Sequence, residues 1–196
     1  GEEAIHAALA RQPGALLIGG HLGSFEVLRA VGRGRAGLNI AMMMYAENAQ
    51  KINATLEAIN PAATQNLIPL GQMDSMLQAR DRLDAGWLVG MLADRSLADD
   101  PTVDAEFLGK PAPFPLGPWR MAAMLRRPVF FMTGLYLGGN RYRIHFEPLA
   151  DFSQVERADR DVAIRAAIDR YASRLEYYCR LAPYNWFNFF DFWQRP

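Results

Sequence analysis

His21 and Glu26 stand with four residues between them in the stretch Gly19-Gly20-His21-Leu22-Gly23-Ser24-Phe25-Glu26, directly after the apolar run Ala15-Leu16-Leu17-Ile18. An imidazole titrates near neutral pH. A carboxylate that fixes one ring nitrogen makes the other a general base. The run before the pair reads as a buried strand, so the pair would lie at its end. Glycines on both sides of the histidine allow a sharp turn and close approach by a substrate. On one regular helix a spacing of five places two side chains about 140° apart, poorly aligned for contact. With His21 in the loop before a helix, its ring can fold back toward Glu26. Gly23 and Ser24 would open that helix, where their backbone N–H groups could stabilise an oxyanion. Taken alone, the stretch fits a turn-capping histidine and a surface glutamate equally well. No second histidine or cysteine falls at ligand spacing, which argues against a metal site. Ser24 is not in a Gly-x-Ser-x-Gly elbow.

Asp94 and Arg95 follow a second apolar run, residues 87–92, and open a stretch at 94–118 rich in proline, glycine and aspartate. A loop this long inside a compact domain is usually functional or mobile. Arg95 could meet a substrate phosphate and Asp94 could brace the site; a surface ion pair in a turn is the plainer alternative. Arg29, Arg33 and Arg35, and the pair Arg126-Arg127, read as solvated basic turns. Met42, Met43, Met44, Met91, Met121 and Met124 suit a pocket for an apolar ligand, but fit an ordinary core better. Cys179 is the only cysteine, so no internal disulfide is possible, and it is expected to pack in a C-terminal helix. His6 and His145 are assigned no role.

These residues need a scaffold, and the chain supplies one. Helical patterns at 2–11, 24–31, 46–59, 74–84, 119–125 and 157–181 alternate with apolar strands at 15–18, 38–45, 66–70, 87–92 and 128–135. A further strand is expected around 103–107. Residues 141–147 alternate, with Tyr142, Ile144 and Phe146 on one face, and Gly138-Gly139-Asn140 makes a hairpin turn before them. The pattern predicts an α/β layered fold with helices on both faces of a central mixed, mainly parallel sheet. In such sheets ligands bind beyond the carboxyl ends of the strands, where both His21 and Asp94 fall. The 196 residues carry 21 basic and 21 acidic side chains, and zero net charge argues against nucleic acid as a partner. No run of about 18 apolar residues and no signal peptide are found. The aromatic tail at 183–193 is expected to dock on its own domain rather than lie in a membrane interface.

Several of these pieces, in this order, resemble one family. Gly20-His21-Leu22-Gly23-Ser24-Phe25-Glu26 looks like the His-x4-Asp/Glu motif of the lysophospholipid acyltransferase superfamily. The nearest branch is that of the bacterial lipid A lauroyl/myristoyl acyltransferases, with Gly-His-x-Gly-x-x-Glu. The run from Gly86 to Asp94 is similar to the family's strand ending in Asp-Gln, with Arg95 in place of the glutamine. Phe107-Leu108-Gly109-Lys110-Pro111-Ala112 matches Phe-x-Gly-x-x-Ala, and Pro183-Tyr184-Asn185-Trp186 resembles a Pro-x-x-Trp ending. The resemblance implies one acyltransferase-like domain over 1–196, without the N-terminal membrane-associated helix usual in that branch. It implies acyl transfer from an acyl-CoA or acyl-ACP thioester to a hydroxyl of a lipid or glycolipid acceptor. His21 would be the general base oriented by Glu26, and Gly23, Ser24, Asp94 and Arg95 would contact substrate. No tightly bound cofactor is called for. The implied partners are coenzyme A or acyl carrier protein and a lipid-like acceptor, with peripheral contact at the cytoplasmic face of the bacterial inner membrane. A non-catalytic acyl-chain or carrier-protein binding domain and a thioester hydrolase are the alternatives.

Overall fold

The computed structural model describes residues 1–24, 27, 38–45, 66–72, 74–96, 100–189 and 191–193. Its frame is a six-stranded sheet of β1 (Ala15–Gly19), β2 (Ile40–Tyr45), β3 (Leu67–Leu70), β4 (Leu88–Leu92), β7 (Pro128–Tyr136) and β8 (Tyr142–Asp151). The strand order is β3-β2-β4-β1-β7-β8. All neighbours run parallel except the closing pair β7 and β8. The α/β layering and the mixed, mainly parallel sheet are those the alternation predicts. Central parallel strands are covered on both faces, so they read as unbroken apolar runs. Every residue of β1 is buried, and so is β7 as far as Leu135.

Alternate residues of β1 serve two separate cores. Leu16 and Ile18 join the larger one, together with α2 (Ser75–Asp84), α3 (Gly117–Leu125) and α4 (Arg160–Leu181). Ala15 and Leu17 face the smaller one, which Ile5 and Ala8 of α1 (Glu2–Leu9) close from the opposite side. The methionines fill core as expected, with Met42, Met43, Met91 and Met121 buried, although Met124 is exposed. Cys179 is buried on α4. The expected helices at 24–31 and 46–59 fall, apart from Ser24 and Val27, outside the described residues.

The stretch at 94–118 carries the strand expected around 103–107, here β5 (Thr102–Phe107), and pairs it with an unexpected β6 (Lys110–Pro115) in a second, two-stranded antiparallel sheet. Its turn is Leu108-Gly109, both left-handed at φ 52° and 84°, and Glu176 of α4 accepts the Leu108 N–H at 2.7 Å. Three prolines hid β6 in the sequence. Pro111, Pro113 and Pro115 share one parity, so their missing donors fall on one edge and the donors of Ala112 and Phe114 lie together on the other. The hairpin brings Phe107 into the tail. Its ring meets Phe114, Trp186 and Phe192 with centroids 5.8, 5.4 and 5.0 Å away.

Candidate active site

Strand register places the site. β1 and β4 are parallel neighbours with Gly19 opposite Leu92. His21 and Asp94 each lie two residues beyond that rung, so the two chain ends emerge side by side at the carboxyl edge of the sheet. The Ala93 N–H bonds the Gly19 carbonyl at 2.9 Å and carries the pairing one step further. Asp94 then takes His21 with both oxygens. Oδ2 accepts the His21 backbone N–H at 2.8 Å, and Oδ1 lies 2.8 Å from Nδ1. The carboxylate is 2% exposed and the imidazole 34%. An ionised carboxylate can only accept, so this geometry assigns the proton to Nδ1 and the free lone pair to Nε2. Gly20 makes the approach possible. A Cβ there would lie 2.9 Å from Leu175 Cδ1 and 3.2 Å from Asp94 Cγ.

Distant residues hold the turn that carries His21. The buried Tyr171 hydroxyl donates to the Gly19 carbonyl at 2.8 Å, and Thr133 Oγ1 donates to the Leu22 carbonyl at 2.9 Å. Burial, then the nearby Asp94 charge, pushes the Tyr171 phenol well above its ordinary range, so it stays a donor. Gly23 sits at φ 75°, where an added Cβ would be 2.2 Å from the Gly134 carbonyl oxygen. Only glycine can pass β7 that closely. The C-terminal tail crosses the turn from the other side. The Phe187 N–H bonds the His21 carbonyl at 2.8 Å, and the Asn185 side chain accepts the Tyr136 N–H at 2.7 Å. Arg95, exposed, donates to the Phe187 carbonyl at 2.5 Å and pins the tail.

The structure corrects one expected role outright. The Gly23 N–H bonds the Asn185 carbonyl and the Ser24 N–H bonds the Gly134 carbonyl, both at 2.8 Å. Neither donor is left to support an oxyanion, because the loop closes against β7 and the tail before a helix begins. Gly23 and Ser24 instead line an open cleft of about 190 Å³ with Tyr136, Tyr142, Tyr184 and Phe187. Glu26, the expected orienting acid, lies outside the described residues, as do Arg29, Arg33 and Arg35. The Arg126-Arg127 turn is solvent-facing at Arg126, as expected, and is also tied to the fold. Arg127 pairs with Asp84 and donates to the Pro13 carbonyl, and Arg126 donates to the Ser153 carbonyl. Sequence reasoning missed Tyr171, Thr133 and Asn185. Their partners lie far along the chain, and no local pattern marks them.

A histidine held by a buried carboxylate thus lies at the carboxyl edge of the mainly parallel sheet of an α/β domain. The chain belongs to the family of bacterial lipid A biosynthesis acyltransferases, which it matches over residues 1–195. No curated protein matches it. The family is one of acyltransferases, with an acyl donor and a lipid acceptor in general terms. Among the described residues no helix is long and apolar enough to cross a membrane.

Proposed function

We propose that this chain transfers an acyl group from a thioester, acyl-CoA or acyl-ACP, to a hydroxyl of a lipid or glycolipid acceptor, with His21 as general base. The observation that carries this reading is the two-point grip of buried Asp94 on His21. With Nδ1–H donating to Asp94, Nε2 takes the proton of the acceptor hydroxyl as its oxygen attacks the thioester carbonyl. Asp94 stabilises the imidazolium that forms. The tetrahedral intermediate then expels the thiolate, which receives the proton from Nε2. The acyl–sulfur bond breaks, an ester bond forms, and the histidine returns to its starting state.

The geometry supports Asp94 in the orienting role that the sequence reading gave to Glu26. Gly23 and Ser24 are proposed as walls of the acceptor cleft and Arg95 as the residue that fastens its tail-side edge. Contact with the cytoplasmic face of the inner membrane belongs to the same proposal. The test is thiol release from acyl-CoA and acyl-ACP, with and without acceptor alcohols, alongside mass spectrometry of the lipid product. Acceptor-dependent thiol release matched by new ester supports transfer. Equal release without acceptor would replace transferase by hydrolase. No thiol release with any donor would leave a binding domain. Asp94→Asn should lose more rate than Glu26→Gln if Asp94 orients the base; the reverse order would return that role to Glu26.

A further inference from the structure

The aromatic tail divides its residues by parity. From Trp186 to Phe189 burial alternates, partly buried at Trp186 and Asn188 and exposed at Phe187 and Phe189. Trp186 turns inward onto Phe107, while Phe187 and Phe189 face out. Phe189 is 87% exposed and Tyr184 is 97% exposed. The tip of the β7–β8 hairpin continues the same surface, with Tyr136, Leu137 and Tyr142 also exposed. The pieces form one patch. Tyr136, Tyr142, Tyr184 and Phe187 line one cleft, and Phe189 lies 6.4 Å from Phe187 by ring centroids. Single exposed apolar side chains are ordinary, but six gathered at one end of a domain are not.

The patch is also selectively charged. Arg141 lies across the hairpin tip from Leu137 and Arg143 pairs with Leu135, so both occupy the strand face that carries Leu137 rather than Tyr142, and both are exposed. Asp191, farther along the tail, accepts the Trp193 N–H. The whole chain is neutral, so attraction to an anionic surface must come from such a local pair. Aromatic rings beside arginines suit the boundary between headgroups and acyl chains, where rings enter and guanidinium groups meet phosphates. The patch also lies at the carboxyl edge of the sheet, against the turn that carries His21.

We infer that this aromatic and arginine edge is the face by which the chain sits on an anionic phospholipid bilayer, so that the cleft lined by Gly23 and Ser24 opens onto the lipid. The inference rests on the acyltransferase reading for its purpose, but it is tested without turnover. Phe189→Cys is labelled with an environment-sensitive fluorophore, and Val162→Cys, exposed on the first turn of α4 at the other end of the domain, is the control. Cys179 will not compete for label. It is buried, and burial, then the Asp94 and Glu176 charges, pushes its thiol up to about 12.

With vesicles of phosphatidylglycerol and phosphatidylethanolamine, the label at 189 should shift to the blue and the label at 162 should not. Phosphatidylcholine vesicles should give a much weaker response. Arg141→Gln and Arg143→Gln should each lower vesicle partition about fivefold, and added salt should do the same. Phe189→Ser with Leu137→Ser should release the chain from vesicles while thiol release from a water-soluble donor and alcohol is unchanged. Equal shifts at both labels, no shift with any vesicle, or a shift that follows protein concentration without lipid would overturn the inference. Failure of transferase activity alone would leave vesicle binding intact, so the two proposals fail separately.

Discussion

Two of the histidine–carboxylate neighbourhoods among the described residues, one at His21 and one at His145, differ in where the carboxylate oxygens point. At the carboxyl edge of the sheet, both oxygens of Asp94 are directed at His21. On edge strand β8, His145 and Glu147 are only two residues apart, yet Glu147 serves others. Its oxygens accept from Arg174 at 2.6 and 2.9 Å and from the Tyr178 hydroxyl at 2.5 Å. His145 packs against the Tyr178 ring at a tilt, with centroids 5.0 Å apart, and its Nε2 is buried with no partner. Nearness in sequence therefore does not make a working pair. The first arrangement commits both oxygens of the acid to one histidine, and the second uses the acid to bind α4 to the sheet.

Exchanging the two histidines in turn breaks this comparison most sharply. His21→Ala should reduce acyl transfer on the order of 10²–10⁴-fold, the usual share of a general base, with little change in melting temperature. His145→Phe should leave the rate within about twofold, because the ring only packs. Comparable rate losses in the two variants, measured with one donor and one acceptor, would erase the distinction. Gly20→Ala is the next step down. Its methyl group would press on Leu175 and on the Asp94 carboxylate, so we expect about 1–3 kcal/mol of lost stability and a slower reaction. Urea denaturation and the rate at saturating donor would read the two effects separately.

These positions also show what could be read from the sequence. β1, β4 and β7 announce themselves as apolar runs because both faces are covered. His21 stands out because glycines flank it just past such a run. Asp94 was visible as a residue opening the next connection, but not as the partner of His21. That pairing requires β4 to lie beside β1 with Gly19 opposite Leu92, and strand order is not written in local periodicity. β6 was hidden by its prolines, which count against a strand unless all their missing donors share an edge. Alternation along β8 alone cannot show that α4 covers Glu147 and His145. Glu26 was singled out by spacing, which is blind to a carboxylate arriving 73 positions later.

The second neighbourhood should reveal itself through stability. Burial pushes the Glu147 carboxyl up, but the hydrogen bonds from Arg174 and Tyr178 and the Arg174 charge outweigh it and hold it below the usual carboxylate range. A lowered folded value contributes stability above the unfolded value and loses it as pH falls through the folded one. Glu147→Gln should thus destabilise the chain by about 1 kcal/mol at pH 7, a figure reduced because the pair is about a third exposed. The difference from wild type should shrink below about pH 4. Denaturation midpoints of the two proteins at pH 7 and pH 3.5 would test the sign.

His145 gives the smallest expected effect and the finest test of the contrast. Burial lowers its folded value; the Glu147 charge opposes this, and Arg143 and Arg174 add to it. The unfolded chain takes up a proton near pH 6.5, whereas the folded chain resists until lower pH. The contribution is therefore present above about 6.5 and lost as pH falls from there toward the folded value. A tenfold difference in proton affinity between the folded and unfolded chains is worth about 1.4 kcal/mol, and a partly buried ring should show a fraction of that. Urea midpoints at pH 7.5 and pH 5, compared between wild type and His145→Gln, isolate this group because the two proteins differ at that ring alone. Wild type should lose more stability over that interval than the variant. Equal losses would mean that the ring at position 145 is as well accommodated charged as neutral, and the two histidines would then differ less than their surroundings indicate.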